Sequence, residues 1–183
     1  MVDLERTRLT IPAFMELPPQ DGIVELIDGA VIAHSPKYPH QRAALRFAIV
    51  MTTAVTTGEF LIAPMSVAFD DHNFPQPDIF WVSGADSACK LGEDGYWHGA
   101  PDFILEILSP GTEVTDRGAK YELYQRYGVR EYWLAQPSSE QPFIEVYTRQ
   151  DAGFARVGVF QRGESFTSPL FGASFAVADF FQD

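Results

Sequence analysis

Three stretches carry residues whose types and spacing could do chemistry. They are Pro77-Asp78, the run Pro101-Asp102-Phe103-Ile104-Leu105-Glu106-Ile107-Leu108-Ser109-Pro110, and Asp116-Arg117-Gly118-Ala119-Lys120. The acids stand at strand-like positions and the lysine on a helix-like segment, the outline of a divalent-metal site. Two carboxylates about 4 Å apart repel by roughly 1 kcal/mol in water and about 4 kcal/mol at an effective dielectric near 20, so a half-buried acid pair needs a cation. Glu106 is the sharpest of these residues, because an ionised carboxylate inside an apolar run must find a cation, hydrogen-bond donors or a raised pKa. A metal would serve, and so would an arginine or lysine from a neighbouring element. Asp78 reaches Glu106 if their strands are neighbours, although a strand-opening or turn-capping aspartate looks the same in sequence. Asp102 follows Pro101 in a similar way. Asp116, Lys120 and Tyr124, at i, i+4 and i+8, share a helix face. That spacing suits a surface ion pair as well as a lysine that orients an attacking water or stabilises charge on a phosphate. Arg117, beside this face, is a candidate phosphate contact.

The elements that must position these residues follow from periodicity and turn chemistry. Residues 11–17 predict a short helix with Thr10 as cap and Pro12 in its first turn. Ile23-Val24-Glu25-Leu26-Ile27, Asp28-Gly29 and Ala30-Val31-Ile32-Ala33 predict a hairpin, because Asp-Gly tolerates the positive φ of a type I′ turn. Across residues 39–57, Ala44, Leu45, Ala48, Ile49, Met51 and Val55 recur at helical steps, with Gly58 as stop. Strands are expected at 60–63, 65–69 and 78–82, a short helix within 83–91, and a central strand buried on both faces at 103–108. Thr112 is placed to cap a helix running to Tyr127 before Gly128, and 130–135 is the next strand. After the loop Gln136-Pro137-Ser138-Ser139, segments 143–148, 154–160 and 165–166 predict an antiparallel meander, and 178–181 a closing helical turn. The order is mixed α/β with one main sheet.

The chain has 183 residues, 46% apolar and 21% charged, which suits one folded domain over residues 1–183 and excludes wholesale disorder. Cys89 is the single cysteine, so neither a disulfide framework nor a thiolate zinc cluster is expected, and a reducing cytoplasm is the natural compartment. Met1-Val2-Asp3-Leu4-Glu5-Arg6 lacks a basic segment followed by an apolar run, and no window approaches the roughly 20 apolar residues of a membrane span. The net charge of −12 works against simple nucleic-acid binding. A local basic strip or bound divalent ions would offset it.

The run Gln76-Pro77-Asp78-Ile79, the block from Pro101 through Thr112, Asp116, Lys120, Tyr124, and Gly128-Val129-Arg130-Glu131-Tyr132-Trp133-Leu134 resemble the Uma2 family of restriction endonucleases, formerly DUF820. Glu25-Leu26-Ile27-Asp28-Gly29 and His40 fit its N-terminal pattern. The likeness extends over about residues 10 to 180. It implies a restriction-endonuclease-like core of the PD-(D/E)XK type: a mixed central sheet flanked by helices, with an N-terminal β-hairpin and a C-terminal antiparallel meander. The implied activity is Mg²⁺-dependent endonucleolytic hydrolysis of DNA phosphodiester bonds, with Mn²⁺ able to substitute. Asp78 and Glu106 would then be metal ligands with the Ile107 carbonyl as a third. Lys120 would assist the water and Glu25 complete the acid cluster, while Arg117, Tyr124 and His40 would meet substrate. Leu108 stands where such enzymes usually carry the lysine, so that role would pass to Lys120. Gly111 and Gln136 also depart from the pattern, at turns. A duplex cut suggests a homodimer. A rival reading is a non-catalytic nuclease-fold protein with a protein partner, favoured by the charge. A glycosidase would instead need acids about 5 to 9.5 Å apart and no metal.

Overall fold

The computed structural model describes residues 8–19, 21–137 and 140–181; Met1 to Arg6 and the loop residues Ser138 and Ser139 lie outside them. Helix α1 (Ile11–Met15) begins at Thr10, whose hydroxyl accepts the Ala13 N–H, with proline in its first turn. Strands β1 (Ile23–Ile27) and β2 (Ala30–His34) form the expected hairpin, with Asp28 at φ 49° and Gly29 at φ 75°. The Asp-Gly pair sets a register in which Glu25 faces Ile32 and Ile23 faces His34.

Helix α2 (Tyr38–Ala54) stops at Val55, which is extended, three residues before the expected Gly58. The threonines beyond it have low helix propensity and lie outside the helix. Its buried stripe is His40, Ala43, Phe47 and Met51, whereas Leu45 and Ile49 face solvent. Both stripes satisfy a helical period, and packing decided between them.

Strands β3 (Glu59–Ile62), β4 (Val67–Ala68) and β5 (Ile79–Val82) follow, with the 65–69 strand reduced to two residues. The short helix expected within 83–91 is absent. That segment holds β6 (Lys90–Leu91), which with β7 (Trp97–His98) and β4 makes a small three-stranded sheet. Strand β8 (Phe103–Ile107) is buried along its whole length.

The single helix expected from Thr112 is in fact α3 (Glu113–Thr115), a π-helical turn (Asp116–Lys120) and α4 (Tyr121–Tyr127), ended by Gly128 at φ 93°. Thr112 makes no side-chain capping bond at its N-terminus; its hydroxyl lies 3.0 Å from that of Ser109. Then come β9 (Glu131–Gln136), β10 (Phe143–Gln150), β11 (Gly153–Gln161), β12 (Ser165–Thr167), β13 (Ser174–Ala176) and α5 (Val177–Phe180). The meander therefore comprises β9, β10 and β11, while β12 leaves the main sheet to pair with β13.

The central sheet runs β11-β10-β9-β8-β5-β3 and is mixed, because only β8 and β9 are parallel. A parallel pair needs a crossover, and the segment from α3 to α4 supplies it. One face, with Ile79, Trp81, Phe103, Leu105, Ile107 and Trp133, packs on Phe47 and Met51 of α2 and Phe180 of α5. Burying a side chain such as Phe47 contributes about 1.5–3 kcal/mol. The other face, with Phe80, Ile104, Tyr132 and Leu134, packs on Leu123 and Tyr124 of α4 and on Val67 and Phe69. By alternation Glu106 belongs to this second face, under α4. Among the described residues no helix is long and apolar enough to cross a membrane.

Candidate active site

The antiparallel pairing of β5 with β8 sets Ile79 opposite Leu105, which brings Asp78 opposite Glu106. Each acid is held by the other strand's backbone. The Ile107 N–H donates to Asp78 Oδ2 at 2.7 Å, and the Asp78 N–H lies 3.4 Å from Glu106 Oε2. For Ile107 this amide bond is the contact seen. His40, from the first turn of α2, completes the surroundings of Asp78 with Nε2 3.1 Å from Oδ2.

Lys120 reaches Glu106 across the face under α4. Its ammonium lies 3.2 Å from Glu106 Oε1, 2.9 Å from Glu25 Oε1 and 3.5 Å from Asp116 Oδ1. The Tyr124 hydroxyl donates to Glu106 Oε1 at 2.7 Å. Glu106 therefore has a lysine partner from the π-helical turn that follows, and Asp78 stands opposite it.

Glu25 arrives because Leu26 exchanges backbone hydrogen bonds with Phe74, docking the hairpin against residues 70–76. The Gln76 N–H then donates to Glu25 Oε1 at 2.7 Å, and His34 Nε2 lies 3.2 Å from Oε2. Arg117 is directed to Glu113 and Glu145, at 3.0 and 2.7 Å. Asp102 accepts the Ser83 N–H at 2.9 Å and pairs with Arg130, a strand-end role.

Three buried acids, Glu25, Glu106 and Asp116, therefore surround one buried ammonium, and a fourth, Asp78, stands opposite Glu106. Burial disfavours the Lys120 charge, but Glu106, Glu25 and Asp116 outweigh it and hold its pKa well above the ordinary lysine value. Burial likewise opposes ionisation of Glu25, yet Lys120, His34 and the Gln76 amide hold it down at about 2. Burial pushes Glu106 well above the usual carboxylate range and also raises Asp116, with Lys120 opposing both shifts. Asp116 Oδ1 lacks a hydrogen-bond partner among the described residues. The cluster has more acid than its lysine neutralises.

The expected residues brought together are Glu25, Asp78, Glu106, Ile107, Lys120, Tyr124 and His40, with Arg117 turned to other partners. His34 went unnoticed in the sequence, although the hairpin register carries its signal. Glu25 pairs with Ile32, so His34, two residues on, shares its face. Among the described residues no group of three His, Cys, Asp or Glu side chains is arranged to hold a metal ion.

A crystal structure described as "a putative nuclease belonging to DUF820" from Anabaena variabilis superposes with a TM-score of 0.74, at 23% identity over 94% of this chain and 97% of that one. This likeness establishes the fold. An uncharacterized Synechocystis protein, slr1290, is 33% identical over 78 residues, which is 42% of this chain and 40% of that protein's length. The Uma2 family model, described as "Putative restriction endonuclease", matches residues 11–178, and the chain belongs to that family.

Proposed function

We propose that this chain is a Mg²⁺-dependent endonuclease that hydrolyses DNA phosphodiester bonds. The observation that carries the reading is Asp78 opposite Glu106 at the end of two buried strands, with Lys120 on Glu106. The donor set fits a hard divalent cation. It offers carboxylate oxygens in excess of local positive charge, and burial drives Glu106 and Asp116 toward protons that a cation would displace. Mg²⁺ commonly takes only one or two carboxylates and keeps several waters, so a pair of acids suffices.

Asp78 and Glu106 would hold the metal, with the Ile107 carbonyl as third ligand, and Mn²⁺ would substitute. Bound there, the ion would supply a Lewis acid for the scissile phosphate and lower the pKa of the attacking water. Lys120 would orient that water or offset charge developing on phosphate. Glu25 keeps Lys120 charged and placed. His40 fixes Asp78 from the substrate side, Tyr124 fixes the Glu106 carboxylate, and Arg117 would meet a phosphate. The chain would act as one domain in a symmetric dimer, one site per strand.

A supercoiled-plasmid assay tests this. Nicking is expected with Mg²⁺ or Mn²⁺ and is expected to vanish in Asp78→Ala and Glu106→Gln; activity retained in purified, folded Asp78→Ala sinks the assignment. The second reading, a non-catalytic binding protein, is favoured by the net charge of −12 and by the saturation of Lys120 with three carboxylates. Absence of metal binding in the wild type would select it.

A further inference from the structure

Beside the acids lies a cleft of about 500 Å³ whose walls include His34, Lys37, Pro39, His40, Leu108 and Pro110. His34 and His40 belong to both places. Each turns one ring nitrogen to an acid of the cluster, Glu25 or Asp78. The cleft therefore adjoins the proposed reaction centre.

His40 is only 6% exposed, and its Nδ1 has no hydrogen-bond partner among the described residues. With Nε2 at Asp78, Nδ1 is the unpartnered ring atom, buried in the residue that walls this cleft. The same wall is the first turn of α2, a 17-residue helix with no acid in that turn and no side-chain capping bond from Lys37. Pro39 brings no N–H to this turn, so the Tyr38 and His40 N–H groups are those that lack intrahelical acceptors and carry partial positive charge. Lys37 itself is exposed and makes none of the ion pairs found among the described residues.

A polynucleotide that presents one phosphate to Asp78 and Glu106 carries its neighbouring phosphates past a field of like charge. Lys120 is buried among acids, so attraction for those phosphates must come from the rim. We propose that the first turn of α2, with Lys37, is a phosphodiester subsite. It would take the backbone phosphate flanking the scissile one, with that nucleotide's sugar and base on Pro39, Leu108 and Pro110. This rests on the nuclease reading and adds a binding determinant to it.

The test is fluorescence anisotropy of a labelled oligothymidylate over a salt series with Ca²⁺ present, using the full chain and the variants Lys37→Ala, Lys37→Glu and Lys90→Ala. Lys90, which bonds the carbonyls of Gly84 and Ala85, serves as the control. Lys37→Ala is expected to raise Kd about three- to tenfold and to reduce the salt slope by about 0.7, the value for one contact on a single strand. Lys90→Ala is expected to change neither. Thymidine 5′-monophosphate is expected to shift the His40 ring resonances in the wild type and not in Lys37→Glu. Unchanged Kd and slope in both Lys37 variants would overturn the subsite, even in a protein that nicks plasmid. Lys37-dependent binding in a protein that nicks nothing would support the subsite and count against the nuclease reading.

Discussion

At Glu106 a carboxylate stands in a strand of five buried residues and meets Lys120, the Tyr124 hydroxyl and the Asp78 amide. These contacts offset only part of its desolvation, since burial still holds its pKa well above the usual carboxylate range. The Tyr124 bond is separable from the rest, because phenylalanine keeps the ring's packing and removes only the donor. Tyr124→Phe is expected to lower stability by about 1–2 kcal/mol while keeping the fold, as read from urea unfolding monitored by tryptophan fluorescence. A loss below the error of the measurement would mean that Glu106 satisfies itself without the phenol. Cys89, by contrast, has its thiol pushed up to about 12 by burial and Asp102, so it is no nucleophile at neutral pH.

Among the elements, the π-helical turn Asp116–Lys120 sets the site's geometry most directly. Within it Asp116 Oδ1 and Lys120 Nζ lie 3.5 Å apart. A Cβ added at Gly118 in this turn meets nothing within 4 Å. Gly118→Ala is therefore expected to stabilise the protein by about 0.5–1 kcal/mol, measured by urea midpoint, through the reduced freedom of the unfolded chain. On β10, burial would raise the pKa of Glu145, but the Tyr147 hydroxyl, Arg117 and Arg156 reverse this and lower it from 4.5. Below 4.5 the unfolded chain then binds a proton that the folded one does not, so this stabilisation is present above 4.5 and is lost as pH falls through the lowered folded value. Urea midpoints across the acid range should fall less steeply in Glu145→Gln than in the wild type. Equal slopes would remove Glu145 from the acid-unfolding account.

For the whole molecule, a cation bound as proposed would offset part of the net charge of −12 and of the buried acid cluster. Mg²⁺ at 100 times its Kd is expected to raise the unfolding free energy by about 2.7 kcal/mol, an increment that Asp78→Ala should abolish. A wild-type midpoint indifferent to Mg²⁺ would remove the metal from the proposal. Family membership and the mixed α/β core could be read from the chain, because the hairpin turn Asp28-Gly29, the apolar run around Glu106 and the stop at Gly128 are local signals. The sequence by itself thus determined the hairpin, the buried central strand, most of the longer elements, the acids and the lysine. Only the tertiary structure decided that α2 buries Phe47 and exposes Leu45, that 83–91 joins a small sheet, and that β12 turns to β13. It also decided that Asp78 faces Glu106, that Arg117 goes to Glu145, and that Glu25 and His34 join the cluster. Each of these choices compares alternatives of similar local energy and is settled by contacts distant in sequence. Short strands such as β6, β7 and β13 have too few residues to show a period, and they form because a partner strand and a buried face are already in place.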